Sequence, residues 1–205
     1  MNTTLLETIE QKILAQPISS ERQAVLEPFV NYLKKKIESG ESINLNFICT
    51  HNSRRSHFSQ IWAQVASAYF EISTVQCYSG GTEKTALYPS VLKALEMQGL
   101  SVIQLSDEQN PVYAIKWDDN AAPLIGFSKK FDSAFNPKSS FAAIMTCSQA
   151  DEGCPFVPGA EARIPLNYRD PKYSDGSSEE TEVYFNTSLE IAKELFYVFS
   201  QVKNG

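Results

Sequence analysis

The segment from Cys49 to Ser56 constrains this chain more than any other. It places a cysteine, five further residues, an arginine and a serine between two hydrophobic patterns. The pattern before it is a continuous apolar run, and the pattern after it has helical spacing. The segment is therefore predicted to be the turn between a strand and a helix. The apolar residues are Ile43, Leu45, Phe47 and Ile48 before the turn, then Phe58, Ile61, Trp62, Val65, Ala66 and Tyr69.

A cysteine in such a turn lies where successive backbone N–H groups converge on an anion. The same field favours the thiolate, which is the nucleophilic form of the side chain. Arg55 can add a two-pronged guanidinium contact to a tetrahedral oxyanion. We therefore predict that Cys49 attacks an oxyanion held by Thr50, His51, Asn52, Ser53, Arg54 and Arg55. The alternative is a buried cysteine that ends a strand, followed by a helix with surface arginines.

Short apolar runs alternate with helical patterns along the rest of the chain, which predicts an α/β fold. We expect a single open, mostly parallel, four-stranded sheet flanked by helices, in a catalytic domain over residues 42–205. A β-hairpin is expected as an insertion at about 111–131. The predicted strands after the first are 72–78, 101–105 and 141–146, and the later helices are 89–98 and about 181–202.

Residues 1–41 are predicted to form an N-terminal extension of two helices. Ser20 and Gln23 resemble a capping box, and Pro28 is expected in or near the first turns of the second helix. Each helix has one apolar stripe, so each should pack on the catalytic domain or on a partner subunit. The stripes consist of Leu5, Ile9 and Ile13, then Val25, Phe29, Leu33 and Ile37.

The carboxyl ends of parallel strands meet at one edge of a sheet, where active sites of open α/β folds lie. Cys49, Ser79 and Cys147 each end or follow a predicted strand and should face this edge. Cys147 and Cys154 alone would be two small buried residues. Beside Cys49, they are better explained as parts of a thiol relay. In this relay Cys49 attacks, Cys147 is the resolving thiol that attacks the product at Cys49, and Cys154 captures the resulting disulfide. The acidic, glycine-containing segment between them is expected to be a movable loop.

Composition excludes several other classes of protein. A net charge of −6 over 205 residues argues against a nucleic-acid surface. The chain has no run of about 18 apolar residues, which predicts no membrane span. It also shows no signal-peptide pattern, so a cytoplasmic protein with reactive thiols rather than structural disulfides is expected. A zinc site from Cys49, His51, Cys147 and Cys154 lacks the usual ligand spacing, so we predict no metal and no bound cofactor.

The chain resembles the thioredoxin-coupled arsenate reductases, which share the fold of low-molecular-weight protein tyrosine phosphatases. The resemblance covers about residues 43–202. It rests on residues 49–56, Ser79-Gly80-Gly81-Thr82, Cys147 with Cys154-Pro155, and Asp170-Pro171, which occur in the family's order. It implies that Cys49 is the nucleophile, Arg55 the oxyanion-binding arginine, Ser56 the hydroxyl that helps the thiolate, Asp170 the general acid, and Asn52 and Ser79 loop-shaping residues. The relay cysteines match Cys147 and Cys154, which the phosphatase branch lacks.

Two residues of the turn depart from the family pattern. His51 replaces a glycine, and Arg54 replaces a second cysteine and is expected to add charge at the rim of the site. The predicted function is arsenate reduction with a thioredoxin-like reductant. The alternative is a phosphatase acting on phosphate esters through a phosphocysteine. A third hypothesis is an oxyanion-binding or redox-sensing regulator that acts through the N-terminal helices.

Overall fold

A computed structural model describes residues 1–153 and 156–203 of the chain, so the predicted relay residue Cys154 lies outside the described residues. The strands are β1 (Ile43–Cys49), β2 (Val75–Gly81), β3 (Ser101–Gln104), β4 (Tyr113–Lys116), β5 (Leu124–Gly126), β6 (Phe141–Met145) and β7 (Ala160–Pro165). The helices are α1 (Thr3–Glu7), α2 (Ser20–Glu38), α3 (Arg55–Tyr69), α4 (Pro89–Met97), α5 (Ser148–Gly153) and α6 (Glu180–Lys203). A π-helical turn (Thr8–Ile13) follows α1, and a 3₁₀ turn (Pro171–Ser174) precedes α6.

The main sheet has four parallel strands in the order β2-β1-β6-β7. It confirms the predicted fold class. β1 is central and nearly all of its residues are buried, as expected for a parallel sheet covered on both faces. The larger core lies between one face of the sheet and helices α1 to α4 and α6. A smaller core on the opposite face contains Cys49 and Cys147.

The strand predicted over 101–105 was wrongly placed in the main sheet. β3 instead pairs antiparallel with β4, and β4 pairs antiparallel with β5, the two strands of the insertion. The connection from β3 to β4 is too short for the crossover that parallel neighbours require. β3 is also largely exposed, whereas the interior strands of a parallel sheet are apolar on both faces. The fourth strand of the main sheet is β7.

The N-terminal helices pack into the core of the sheet domain. Leu5, Ile9, Ile13, Leu26, Phe29 and Leu33 are all buried in the larger core. Phe29 meets Phe47 of β1 edge to face, with ring centroids 6.4 Å apart. Arg22 of α2 forms a two-pronged ion pair with Glu194 of α6 at 2.6 and 2.8 Å.

Three details of the α2 prediction were wrong. The residue that caps the helix is Ser19, whose hydroxyl accepts a hydrogen bond from the Arg22 backbone N–H, and not Ser20. Pro28 lies inside the helix, beyond its first turns, on an exposed face. Val25 is 42% exposed, because the buried stripe runs through Leu26 instead.

None of the helices within the described ranges is long and apolar enough to cross a membrane.

We propose that residues 1–41 are an integral part of the folding unit. Deleting them should expose apolar surface of the sheet domain and lower its solubility and melting temperature. A milder test is Phe29→Ala, which should cost about 3 kcal/mol of unfolding free energy, measured by denaturant titration. The matched control Val25→Ala, on the exposed side of the same helix, should change it by less than about 0.5 kcal/mol. Equal effects of the two variants would contradict the proposal.

Candidate active site

The predicted turn lies between the end of β1 at Cys49 and the start of α3 at Arg55. It is fastened to the end of β2, since Thr82 N–H donates to the Cys49 carbonyl and Glu83 N–H to the Thr50 carbonyl, at 3.1 and 2.8 Å. Gly81 makes this close approach possible. A Cβ atom there would lie 2.7 Å from both the Asn52 nitrogen and the Thr50 carbonyl oxygen. The second glycine of the 79–82 motif therefore shapes the loop.

Asn52 connects the turn to the nucleophile. It has a left-handed backbone with φ of 45° and is fully buried. Its side-chain amide donates to the Ser56 hydroxyl at 2.9 Å, and the Ser56 oxygen is 3.1 Å from the Cys49 sulfur. Because the Ser56 oxygen accepts from Asn52, its own proton is free to be donated to the sulfur. A hydrogen bond of this kind stabilises a thiolate more than a thiol.

Arg55 lies beside the predicted general acid. Its guanidinium donates to Asp170 Oδ2 at 2.5 Å and to the Tyr168 carbonyl at 3.0 Å. The buried Nε of Arg55 has no hydrogen-bond partner among the described residues. Asp170 also accepts from the Lys172 backbone N–H and so caps the 3₁₀ turn that follows it. Cys49, Arg55 and Asp170, the predicted nucleophile, oxyanion-binding residue and general acid, thus line one narrow pocket.

Arg54 lines the same pocket, and its guanidinium is held there by three other residues. Its guanidinium donates to the Tyr184 hydroxyl and to Asp175, and it lies 4.2 Å from the centroid of the Tyr88 ring. Tyr88 in turn stacks on Tyr184. Because these partners hold the Arg54 guanidinium, we propose that its main role is to keep the segment after Asp170 against the loop.

The side chain of His51 points towards the surface. It is 40% exposed and its Nε2 lies 3.5 Å from a carboxylate oxygen of Glu83. Its backbone carbonyl accepts hydrogen bonds from the Thr85 and Ser128 hydroxyls at 3.1 and 2.9 Å. The residue that replaces the family glycine therefore contributes backbone contacts to the loop. Ser53 is buried, and its carbonyl accepts from the Tyr88 backbone N–H.

Cys147 lies at the same edge of the sheet as the loop. Its sulfur is 3.5 Å from the Thr50 hydroxyl and accepts a hydrogen bond from the Ala150 N–H at 3.4 Å. It is buried in the same small core as Cys49, and both are free thiols. The 148–153 segment is the helix α5 and not the loop predicted, and an ion pair of Asp151 with Arg163 at 2.5 Å ties it to β7.

Ser79 is also at this edge, but it does not end β2, which continues to Gly81. Its hydroxyl contacts two side chains that the sequence analysis did not single out. One is His57 Nδ1 at 3.4 Å, and the other is the Lys129 ammonium at 3.5 Å. His57 Nε2 in turn contacts the Asn52 carbonyl at 3.0 Å. The sequence could have indicated His57, because this residue directly follows the segment from Cys49 to Ser56. It could not have indicated Lys129, because nothing in the local sequence distinguishes Lys129 from Lys130.

The chain is similar to known proteins in both sequence and fold. No protein-family model matches the chain. A curated arsenate reductase from Bacillus licheniformis is 26% identical over 140 residues, which are 68% of this chain and 81% of the relative. A low-molecular-weight phosphotyrosine phosphatase from Vibrio cholerae superposes with a TM-score of 0.51 at 15% identity, covering 78% of this chain and 95% of that one. An arsenate reductase in the phosphate-binding state gives 0.50 at 16% identity, with coverages of 78% and 98%.

The chain thus has the fold of the low-molecular-weight protein tyrosine phosphatases. Its sequence similarity relates it to the arsenate reductases that share this fold. The proteins it is similar to are thus enzymes of two kinds, arsenate reductases and phosphotyrosine phosphatases that share this fold.

Replacing Arg55 should damage the site far more than replacing its neighbour. In Arg55→Lys, a single ammonium cannot reproduce the two-pronged contact, so kcat/KM should fall by about 100-fold. Inhibition by inorganic phosphate should weaken in parallel. Arg54→Lys is the matched control, because its partners are Asp175 and Tyr184, and phosphate inhibition should persist within about threefold. If inorganic phosphate inhibits Arg55→Lys almost normally but no longer inhibits Arg54→Lys, the oxyanion-binding role belongs to Arg54 instead.

Proposed function

We propose that the protein is an arsenate reductase. The observation that carries the proposal is the buried Cys147 thiol, which contacts the residue next to Cys49. A phosphatase that acts through a phosphocysteine needs no second thiol at this position. An arsenate reductase needs one, because the two electrons that reduce arsenic come from a pair of thiols.

In the first step, arsenate binds to the N–H groups of residues 50–55 and to Arg55. The Cys49 thiolate attacks arsenic, and an As–O bond breaks while Asp170 protonates the leaving oxygen. Asp170 must therefore carry a proton when it acts. Its present contact with Arg55 at 2.5 Å brings it to the edge of the same pocket. The product is an arsenic(V) adduct on the Cys49 sulfur.

In the second step, the Cys147 thiolate attacks the Cys49 sulfur. The new S–S bond forms as the S–As bond breaks, and the electron pair of that bond reduces arsenic(V) to arsenic(III). Arsenite leaves, and the two thiols have together lost two electrons. This step is supported by the free state of both thiols at one edge of the sheet.

The last steps regenerate the enzyme. Cys154 attacks the Cys49–Cys147 disulfide, and a thioredoxin-like protein reduces the resulting Cys147–Cys154 disulfide. The role of Cys154 rests on the family resemblance. A reducing compartment such as the cytoplasm would supply this partner, and we propose that location for the enzyme.

A phosphatase is the second candidate, and one observation favours it. The pocket lined by Cys49, Arg55 and Asp170 already holds every side chain that a phosphocysteine mechanism needs. The regulatory hypothesis has no such support, because the apolar stripes of the N-terminal helices are buried in the chain's own core.

The variant Cys147→Ser separates the two enzymes. It should leave aryl-phosphate hydrolysis within about twofold of wild type, while arsenate-dependent NADPH oxidation with thioredoxin and its reductase should fall at least about 100-fold. The matched control is Cys77→Ala, which removes another buried thiol from the larger core and should retain both activities. Cys49→Ser should abolish both, because a serine hydroxyl in the loop remains protonated.

Mass spectrometry provides the direct test of the relay. Cys154→Ser should complete about one turnover and accumulate a disulfide between Cys49 and Cys147. If Cys147 and Cys154 remain reduced in arsenate-treated wild type while aryl phosphate is hydrolysed normally, the reductase proposal fails and the phosphatase stands.

A further inference from the structure

Lys129 is a buried cation without a carboxylate partner among the described residues. Its side chain is almost inaccessible, and its ammonium contacts only the Ser79 hydroxyl at 3.5 Å and the Phe127 carbonyl at 3.4 Å. The rings of Phe127 and Phe135 cover it, with centroids 4.5 and 5.3 Å away. Lysines are rarely buried unless they are paired, because desolvation of the ammonium is costly.

A second buried lysine shows the usual arrangement. Lys36 is 7% exposed, and its ammonium pairs with Glu41 at 2.6 Å and with Glu161 at 2.7 Å. These carboxylates offset the cost of its burial. Lys129 lacks that compensation, so its position requires another explanation.

The hydrogen bonds around Lys129 can run in only one direction. An ammonium is solely a donor, so the Ser79 oxygen accepts from it and the Ser79 proton points to His57 Nδ1. His57 must then carry its own proton on Nε2, which donates to the Asn52 carbonyl at 3.0 Å. The chain from ammonium to carbonyl is therefore polarised throughout, and such chains strengthen their members.

Lys129 also reaches Asn52 from the other side. Its backbone N–H donates to Asn52 Oδ1 at 2.9 Å, and the amide nitrogen of that side chain donates to Ser56 beside Cys49. The side chain of Lys129 thus acts on the Asn52 carbonyl, while its backbone fixes the Asn52 side chain. Both contacts support the left-handed residue of the loop.

We propose that Lys129 is a positioning residue for oxyanion binding, which acts through Ser79 and His57 on the peptide group between Asn52 and Ser53. A carbonyl that accepts a strong hydrogen bond makes the N–H of the same peptide a better donor, and this N–H belongs to the anion-binding loop. The positive charge of Lys129, which is linked to the loop through Ser79 and His57, also favours an anion bound there. The inference rests on the proposed function only in that the loop binds an oxyanion, which reductase and phosphatase share.

Protonation supports this role. Burial lowers the pKa of Lys129 from its ordinary value of 10.5 to about 7. Burial, with the nearby Lys129 charge, lowers the pKa of His57 to about 3, so His57 is neutral at working pH. The ammonium contacts Ser79 of β2 and the rings of Phe127 and Phe135, and His57 of α3 lies beyond Ser79. None of these four residues is acidic. Lys129 therefore loses its charge as pH rises through about 7.

The sign of the stability effect follows from linkage. Between pH of about 7 and 10.5 the unfolded chain holds a proton on Lys129 that the folded chain has lost, so stability rises with pH across this window. Below it, both states are protonated and the folded state bears the full cost of the buried charge. Removing the ammonium should therefore not destabilise the protein, which separates this role from a structural one.

The test measures binding of inorganic sulfate by isothermal titration calorimetry, because sulfate remains a dianion across the neutral range. Lys129→Met should bind sulfate about tenfold more weakly than wild type at pH 6, with an unfolding temperature equal or higher. The matched control Lys36→Met should lower the unfolding temperature, because it removes the cation that pairs with Glu41 and Glu161, yet bind sulfate within about twofold of wild type.

Two further measurements test the role of Lys129 even if Lys129→Met does not fold. Ser79→Ala breaks the chain but keeps the ammonium, and it should also weaken sulfate binding. In the folded wild type, sulfate affinity should decrease as pH rises through about 7, and nitrogen NMR should find His57 protonated on Nε2. Unchanged sulfate affinity in Ser79→Ala and in any folded Lys129→Met, or a proton on Nδ1, would overturn the proposal. Loss of arsenate reduction with normal sulfate binding would instead count against the proposed function alone.

Discussion

The conformation of Asn52 is the constraint on which the rest of the site depends. A left-handed backbone costs a non-glycine residue about 1 kcal/mol, and here it is held by buried hydrogen bonds to Ser56, Lys129 and His57. The turn it creates brings Ser56 back to within 3.1 Å of the Cys49 sulfur. The parallel pairing of β1 with β2 places Gly81 opposite Cys49, where the absent side chain leaves room for that turn.

Two consecutive arginines link this turn to the acid. Arg55 contacts Asp170 before the 3₁₀ turn, and Arg54 contacts Asp175 after it. An oxyanion that binds Arg55 must share its guanidinium with Asp170 or displace it. The contact between Arg54 and Asp175 is not affected by that exchange, so the segment can stay in place while Asp170 moves. In the proposed site, Arg55 thus binds the oxyanion and Arg54 positions the segment that carries Asp170.

The sequence was sufficient for the features that depend on local pattern. The apolar run before Cys49 and the helical spacing after Arg55 predicted the strand, the turn and the helix correctly. The features that the sequence could not predict involve partners distant in sequence. The direction of Arg54 depends on Asp175 and Tyr184, and the burial of Lys129 depends on Phe135 and on Ser79 of another strand. β3 was misplaced because a short apolar segment does not reveal which sheet it joins.

The helix α5 connects the structure to the proposed relay. Its six residues are fewer than an isolated helix needs for stability, so it depends on the buried Ala150 and on the ion pair of Asp151 with Arg163. Cys147 immediately precedes it and accepts the Ala150 N–H, which means that the thiol is bonded to the first turn of the helix. In the proposed relay, the sulfur of Cys147 would exchange this contact for a covalent bond to Cys49, and α5 would lose one of its few supports.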